Sequence, residues 1–249
     1  MILDLPLHGI TMELDDDDPG LSAQLKKYGT REGVVPFILD NLVQEGWLVI
    51  EIGGNQGFYA TIEASNGATV HAIEPVPRNF NVLKRNLARY LGCKVYQMAA
   101  GNMEGTASFY EVEASNWGAL ADMQADSIIG ETIEVKVTTL DSFVAMVGVP
   151  DLLRFDIEGG EKELLEAGSQ TLAAMKPGSW ILCELHVRSF GTNFALVPTI
   201  QTMLDAGFVP RYVVPYGGQV MPHPSEGFAE WFCETYKDQA PNVFLEKCA

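Results

Sequence analysis

Short apolar runs alternate with amphipathic stretches along most of this chain. WLVIEI (47–52) predicts a buried strand, and residues 57–65 continue as a helix. TVHAIEP (69–75) predicts a second strand, followed by an amphipathic helix over 78–92, and KVYQMAA (94–100) a third strand. ASFYEV (107–112) and TIEVKVTTL (132–140) read as a hairpin or edge addition, with a short helix over 141–148. DLLRFDIE (151–158) and SWILCELH (179–186) supply two more core strands, each trailed by a helix, over 161–174 and 197–207. FVPRYVV and PNVFLEK close the pattern as an antiparallel pair. Strands that are apolar on both faces and joined by helices fit a mostly parallel sheet covered on both sides. The expected fold is therefore α/β and Rossmann-like, with a twisted parallel sheet, helices on both faces and a final antiparallel strand.

The segment before the first strand reads differently. ELDDDDPG (13–20) predicts a solvated loop, since four adjacent aspartates cannot all turn toward one ion. From Thr30, which is placed to cap a helix, Val35, Ile38, Leu39, Leu42 and Val43 fall on one face, and Gly46 closes the helix. Residues 1–46 are thus expected to form an N-terminal segment and helix capping the cleft of a Rossmann-like domain over 47–249. There is no internal repeat and no linker.

Composition narrows the function. A chain of 249 residues with 47% hydrophobic residues buries a full core as one α/β domain. Its formal net charge of −17 repels phosphate backbones and anionic headgroups, so neither nucleic acid nor membrane is an expected partner. No apolar run approaches the roughly 20 residues a bilayer requires. Four dispersed cysteines without CxxC spacing, and a start (MILDLPLHGI) without the features of a signal peptide, predict a cytoplasmic protein with reduced thiols.

Chemistry concentrates where the first strand stops. In an open α/β sheet, ligands bind beyond the carboxyl ends of the strands, and glycines there let a ligand approach the backbone. The dinucleotide fingerprint G-x-G-x-x-G is broken here by Asn55 and Phe58. Glu51, Gly53, Asn55 and Gly57 instead match the E-x-G-x-N-x-G spacing of the first motif of S-adenosylmethionine-dependent methyltransferases. Glu74, ending the second strand about 20 residues on, is placed to accept ribose hydroxyls.

Taken in order, EIGGNQGFYA, AIEPVPRNFNVLKRNL, AAGNMEGTASFY, VTTLDSF, LLRFDIEGGEKELLEAG and ILCELH resemble the FkbM family of methyltransferases over roughly residues 30–190. The family's usual first motif is D-x-G-A-N-x-G; Glu51 and Gly54 are mild departures from it. The resemblance implies a class I Rossmann-like methyltransferase with S-adenosylmethionine as donor, acting commonly on a hydroxyl of a natural product or sugar and in some members on a carboxylate. It implies that Glu51, Gly53, Gly54, Asn55 and Gly57 line the donor, that Glu74 holds the ribose with Pro75 shaping the next turn, that Ala99 lies against the adenine edge, and that Asp156 faces the methyl group and the donor's amino-acid part.

Methyl transfer from a sulfonium is an in-line displacement, so positioning carries most of the catalysis, and a hydroxyl acceptor also has to lose its proton. His186 is the expected general base, with Glu184 two residues before it on the same strand face to orient the ring or hold the acceptor, and Asp156 nearby. A structural histidine is the alternative reading of His186, and a helix-opening acid that of Glu161. A divalent metal on Asp156, Glu158, Glu184 and His186 is possible but not the expected occupant, because acids at this edge already have a donor to bind. Loops 115–123, with Trp117 and Gly118, and 188–194, opened by Arg188, are expected to select the small-molecule acceptor. A homodimer would pair through Val243, Phe244 and Leu245 or through the 107–140 hairpin. An NAD-dependent oxidoreductase or epimerase, or a non-catalytic Rossmann-like module, are the competing functions.

Overall fold

The computed structural model describes residues 1–111, 119–120, 131–187 and 195–248. Trp117, Gly118, Arg188 and the rest of the 188–194 loop lie outside the described residues. The order of elements is β1 (Ile2–Leu5), β2 (Ile10–Glu13), α1 (Leu21–Tyr28), α2 (Val35–Leu42), β3 (Leu48–Ile52), α3 (Phe58–Ser65), β4 (Thr69–Ile73), α4 (Pro77–Leu87), β5 (Lys94–Tyr96) and β6 (Ala99–Gly101). It continues with β7 (Gly105–Glu111), β8 (Ala119–Leu120), β9 (Glu131–Thr139), α5 (Leu140–Val147), β10 (Leu152–Phe155), α6 (Glu161–Glu166), α7 (Ser169–Ala174), β11 (Trp180–Glu184), α8 (Val197–Asp205), β12 (Phe208–Val214), α9 (Phe228–Thr235) and β13 (Asn242–Lys247).

The central sheet has seven strands in the order β12-β13-β11-β10-β3-β4-β5. All neighbours are parallel from β11 to β5, and β13 runs antiparallel between β11 and β12. Strand order reverses at β3, whose two neighbours β4 and β10 lead outward in opposite directions. This places a crevice at the carboxyl ends of β3 and β10.

The period-two alternation of the strands builds two cores. Ile50, Ile52, Leu153, Phe155, Ile181 and Cys183 point to one face and pack with residues of α5 to α9. Val49, Leu152, Leu182 and Phe244 point to the other and pack with β1, β2 and α1 to α4. Glu51 and Arg154 occupy this second face by the same alternation, so two charged groups are carried into an apolar layer.

Several expectations change. The third strand breaks in two: Lys94 and Gln97 are exposed, so little apolar burial holds the edge strand beyond Tyr96, and Ala99–Gly101 pair instead with β9. That pairing joins a second, four-stranded sheet, β6-β9-β7-β8, in which the expected hairpin is β7 against β9. The 161–174 helix divides at Gly168, where a Cβ would stand 2.6 Å from a Leu140 side-chain carbon, and Asp141 caps the second half through the Thr171 amide at 2.8 Å. Thr30 does not cap α2, which starts after Val34; its hydroxyl meets the His8 ring at 2.9 Å. Val243, Phe244 and Leu245 are not available to a partner subunit, because β13 is an interior strand with all three side chains fully buried.

The aspartate run is also only half solvated. Asp16 and Asp17 are exposed, but Asp18 is buried and accepts the amides of Gly20 and Ser22 at the start of α1 and the side-chain amide of Gln56 at 2.8 Å. Gln56 in turn accepts the Asp15 amide at 2.9 Å. The N-terminal segment is therefore stitched to the glycine loop after β3. Among the described residues no helix is long and apolar enough to cross a membrane, and all four cysteines are free.

Candidate active site

The glycine loop is shaped by its backbone. Gly53, Asn55 and Gly57 all have positive φ (82°, 49° and 91°), a region in which glycine is unstrained and asparagine is among the best tolerated of other residues. This explains the spacing of the motif. A Cβ on Gly53 would stand 2.1 Å from the Asp156 carbonyl oxygen, so glycine there also allows β3 and β10 to close on each other. The amides of Gly53 and Gly54 both donate to the Ile73 carbonyl, at 3.0 and 2.9 Å, which ties the loop to the end of β4.

Glu74 follows β4 directly and is 5% exposed. One carboxylate oxygen accepts the Asn55 amide at 2.8 Å and the other the Val76 amide at 2.9 Å. A charged acceptor held by two backbone amides at fixed distance is rigid before any ligand arrives.

Beside this loop lies a cavity of about 830 Å³, including its open mouth. Glu51, Gly53, Gly54, Asn55, Glu74, Pro75, Ala99 and Asp156 line it, so eight of the residues expected at the donor site share one wall. Gly57 does not line it; it is the N-cap residue of α3. The sequence reading missed several wall residues: Leu21 and Arg31 from the N-terminal segment, Tyr59 from α3, Phe109 from the second sheet, and Arg154. Arg154 was in principle legible, because a lone arginine inside an apolar strand needs a partner.

That partner is Glu51, at 2.5 Å. Arg154 also stacks on the Tyr59 ring, 3.9 Å from its centroid, and stands 3.9 Å from Asp156. Tyr59 donates its hydroxyl to Glu32 at 2.6 Å, and Glu32 pairs with Arg31. Behind Glu51 lies Glu63 on α3, fully buried and, among the described residues, without a hydrogen-bond partner for either carboxylate oxygen. Burial first, then the Glu51 charge, pushes the Glu63 carboxyl well above its usual range, so it keeps its proton.

His186 and Glu184 are not on the cavity wall. The imidazole is 3% exposed, with Nδ1 2.6 Å from Glu161, and with Nε2 3.2 Å from Glu158 and 3.9 Å from Glu184. Burial alone would push the ring down, but Glu161 and then Glu158 outweigh it and hold it well above its usual value. With a carboxylate facing each ring nitrogen, the imidazole bridges Glu161 and Glu158 and does not itself open onto the cavity. Glu161 is more than a helix-opening acid, being fully buried and aimed at that ring. Glu158 does line the cavity, and burial raises its carboxyl pKa.

A search of curated proteins finds no match. Solved structures of similar fold include a precorrin-6y C5,15-methyltransferase from Geobacter metallireducens (12% identity over 86% of this chain and 87% of that one, TM-score 0.46). A TehB-like SAM-dependent methyltransferase from Corynebacterium glutamicum is 11% identical over 91% and 94% of the two chains, TM-score 0.46. Fibrillarin from Aeropyrum pernix, solved with natively bound S-adenosyl-L-methionine, is 13% identical over 85% and 73%, TM-score 0.46. The model of the methyltransferase FkbM domain matches residues 51–210, more than half of the chain, and the chain therefore belongs to the FkbM family of methyltransferases.

Proposed function

We propose that this protein is an O-methyltransferase that moves the methyl group of S-adenosylmethionine to a hydroxyl or carboxylate oxygen of a small molecule such as a natural product or sugar. The observation that carries the reading is Glu74, fixed by the Asn55 and Val76 amides on the wall of the cavity, the position at which the family resemblance puts the acid that holds a ribose diol. The acids of the wall suit a cationic donor without phosphates, and the charge of −17 favours a small acceptor over a phosphate backbone.

In the reaction, an oxygen lone pair of the acceptor attacks the methyl carbon in line with the departing sulfur. The carbon–sulfur pair stays on sulfur, which leaves S-adenosylhomocysteine. A hydroxyl acceptor gives its proton to Glu158, whose buried carboxylate is the more basic for its surroundings and is oriented by His186. Asp156 holds the reacting end of the donor, Glu161 supports the ring from behind at Nδ1, and Glu184 stands beside Glu158 on its Nε2 side. Arg31 offers a carboxylate acceptor a cationic partner, and residues 1–46 close the cleft.

Calorimetry with S-adenosylhomocysteine tests the donor, and a screen of donor consumption over phenols, sugars and carboxylic acids tests the acceptor. Micromolar binding that Glu74→Ala abolishes is the expected result. Preferential binding of NAD, or methylation at carbon or nitrogen, would replace the proposal.

A further inference from the structure

We propose that Asp156, Glu184 and His186 form a binding site for a divalent first-row transition ion at the carboxyl edge of β10 and β11, opening to the donor cavity through Asp156. One ligand atom from each of the three side chains lies within 4.8 Å of the others. Donors around a bound ion stand about 3–4 Å apart, since each bond is about 2 Å long, so rotamer adjustments of about 1 Å close the set.

Proximity of acids alone would not make a site; the histidine does. Its Nδ1 is held by Glu161, a fully buried carboxylate whose described hydrogen bonds are to this ring and to the Gly159 amide. That bond fixes Nδ1 as the donor and turns Nε2 toward Glu158 and Glu184. A carboxylate behind a histidine, with the distal nitrogen facing further acids, is the arrangement that orients metal-ligating imidazoles. Independently, Asp156 Oδ1 is buried and has no hydrogen-bond partner among the described residues.

The local charge leaves room for a cation. Asp156, Glu158, Glu161 and Glu184 surround one imidazole; of the two guanidiniums that face these acids, Arg154 is committed to Glu51 at 2.5 Å and is 3.9 Å from Asp156, and Arg31 pairs with Glu32. Two carboxylates and one imidazole suit Mn²⁺, Co²⁺ or Zn²⁺ better than Mg²⁺, which prefers an all-oxygen shell. Glu158 now sits opposite Nε2, so an ion either takes it as a fourth ligand or releases it toward the cavity. The inference deepens the proposed function, because an ion here would also bind the acceptor oxygen and acidify its proton.

The test uses the purified full chain, stripped by chelator, with neither donor nor acceptor present. Co²⁺ is titrated and followed by its visible absorption and by the imidazole resonances of the wild-type protein. The expected result is a single equivalent bound with micromolar affinity, with shifts at His186 and none at His223. His186→Gln and Glu184→Gln should each abolish stoichiometric binding, and Glu161→Gln, which leaves the ligands in place, should weaken it about 10-fold or more. No binding at millimolar Co²⁺ or Zn²⁺, or binding unchanged by His186→Gln, would overturn the site and leave a plain imidazolium among carboxylates. Binding of S-adenosylhomocysteine, measured separately on the stripped protein, reports on the methyltransferase reading alone.

Discussion

Arg154 on β10 meets Glu51 on the neighbouring strand β3 at 2.5 Å, and the two residues are direct cross-strand partners with almost completely buried side chains. Removing the arginine leaves a buried carboxylate without its cation. Arg154→Met should therefore cost about 3–5 kcal/mol, read as a lower urea midpoint. Adding Glu51→Leu should recover most of that loss, because no unpaired charge then remains. A double variant no more stable than Arg154→Met would show that packing on Tyr59, rather than charge pairing, holds this layer together.

Glu63 makes stability depend on pH. Its carboxyl is raised well above the ordinary value, mainly by burial, so the folded state keeps a proton that the unfolded chain releases at about pH 4.3. The stability it contributes is fully present below that pH and is lost as pH rises through the folded-state value. Glu63→Gln cannot titrate. The stability of wild type relative to this variant should thus decline with rising pH in urea unfolding above about pH 4.3; parallel curves would mean that Glu63 is ionised in the folded protein.

Gly53 and Gly54 should respond differently to alanine. At Gly53 the new methyl meets a backbone carbonyl at 2.1 Å with φ at 82°, and neither can yield without moving β10. At Gly54 it meets the end of the Leu83 side chain at 2.8 Å, which can turn aside. Gly53→Ala should cost about 1–3 kcal/mol and eliminate donor binding, whereas Gly54→Ala, which restores the family's usual residue, should leave Kd for S-adenosylhomocysteine within a few-fold. Equal losses in calorimetry would contradict this reading of the loop.

Glu74→Gln keeps the size of the side chain and removes its charge. Hydrogen bonds to a charged group are worth about 1.5–3 kcal/mol, so affinity for S-adenosylhomocysteine should fall about 10- to 100-fold. Methylthioadenosine, which keeps the ribose and lacks the amino-acid part, should show a similar ratio. A loss confined to the full ligand would place Glu74 away from the ribose.

The pattern of apolar and polar positions determined the α/β class, the core strands and the antiparallel close of the sheet, because the parallel strands β3, β4, β10 and β11 are largely buried on both faces and each leads into a helix. Local spacing also located the glycine loop and Glu74, since positive φ and strand ends leave marks on a single short stretch. It did not reveal the β1–β2 hairpin, α1 or α9, whose short runs gain their stability from packing. Nor did it show that Asp18 is a buried cap, that KVYQMAA splits between two sheets, or that Val243 to Leu245 form an interior strand. These outcomes depend on which neighbours arrive from far along the chain. The cavity wall shows the same division: Arg31 comes from the N-terminal segment and Phe109 from the second sheet, while Arg154 meets Glu51 across 103 positions. His186 was visible as a residue, but not the carboxylates of Glu161 and Glu158 at its two nitrogens, because a titratable group takes its partners from the elements that folding places around it.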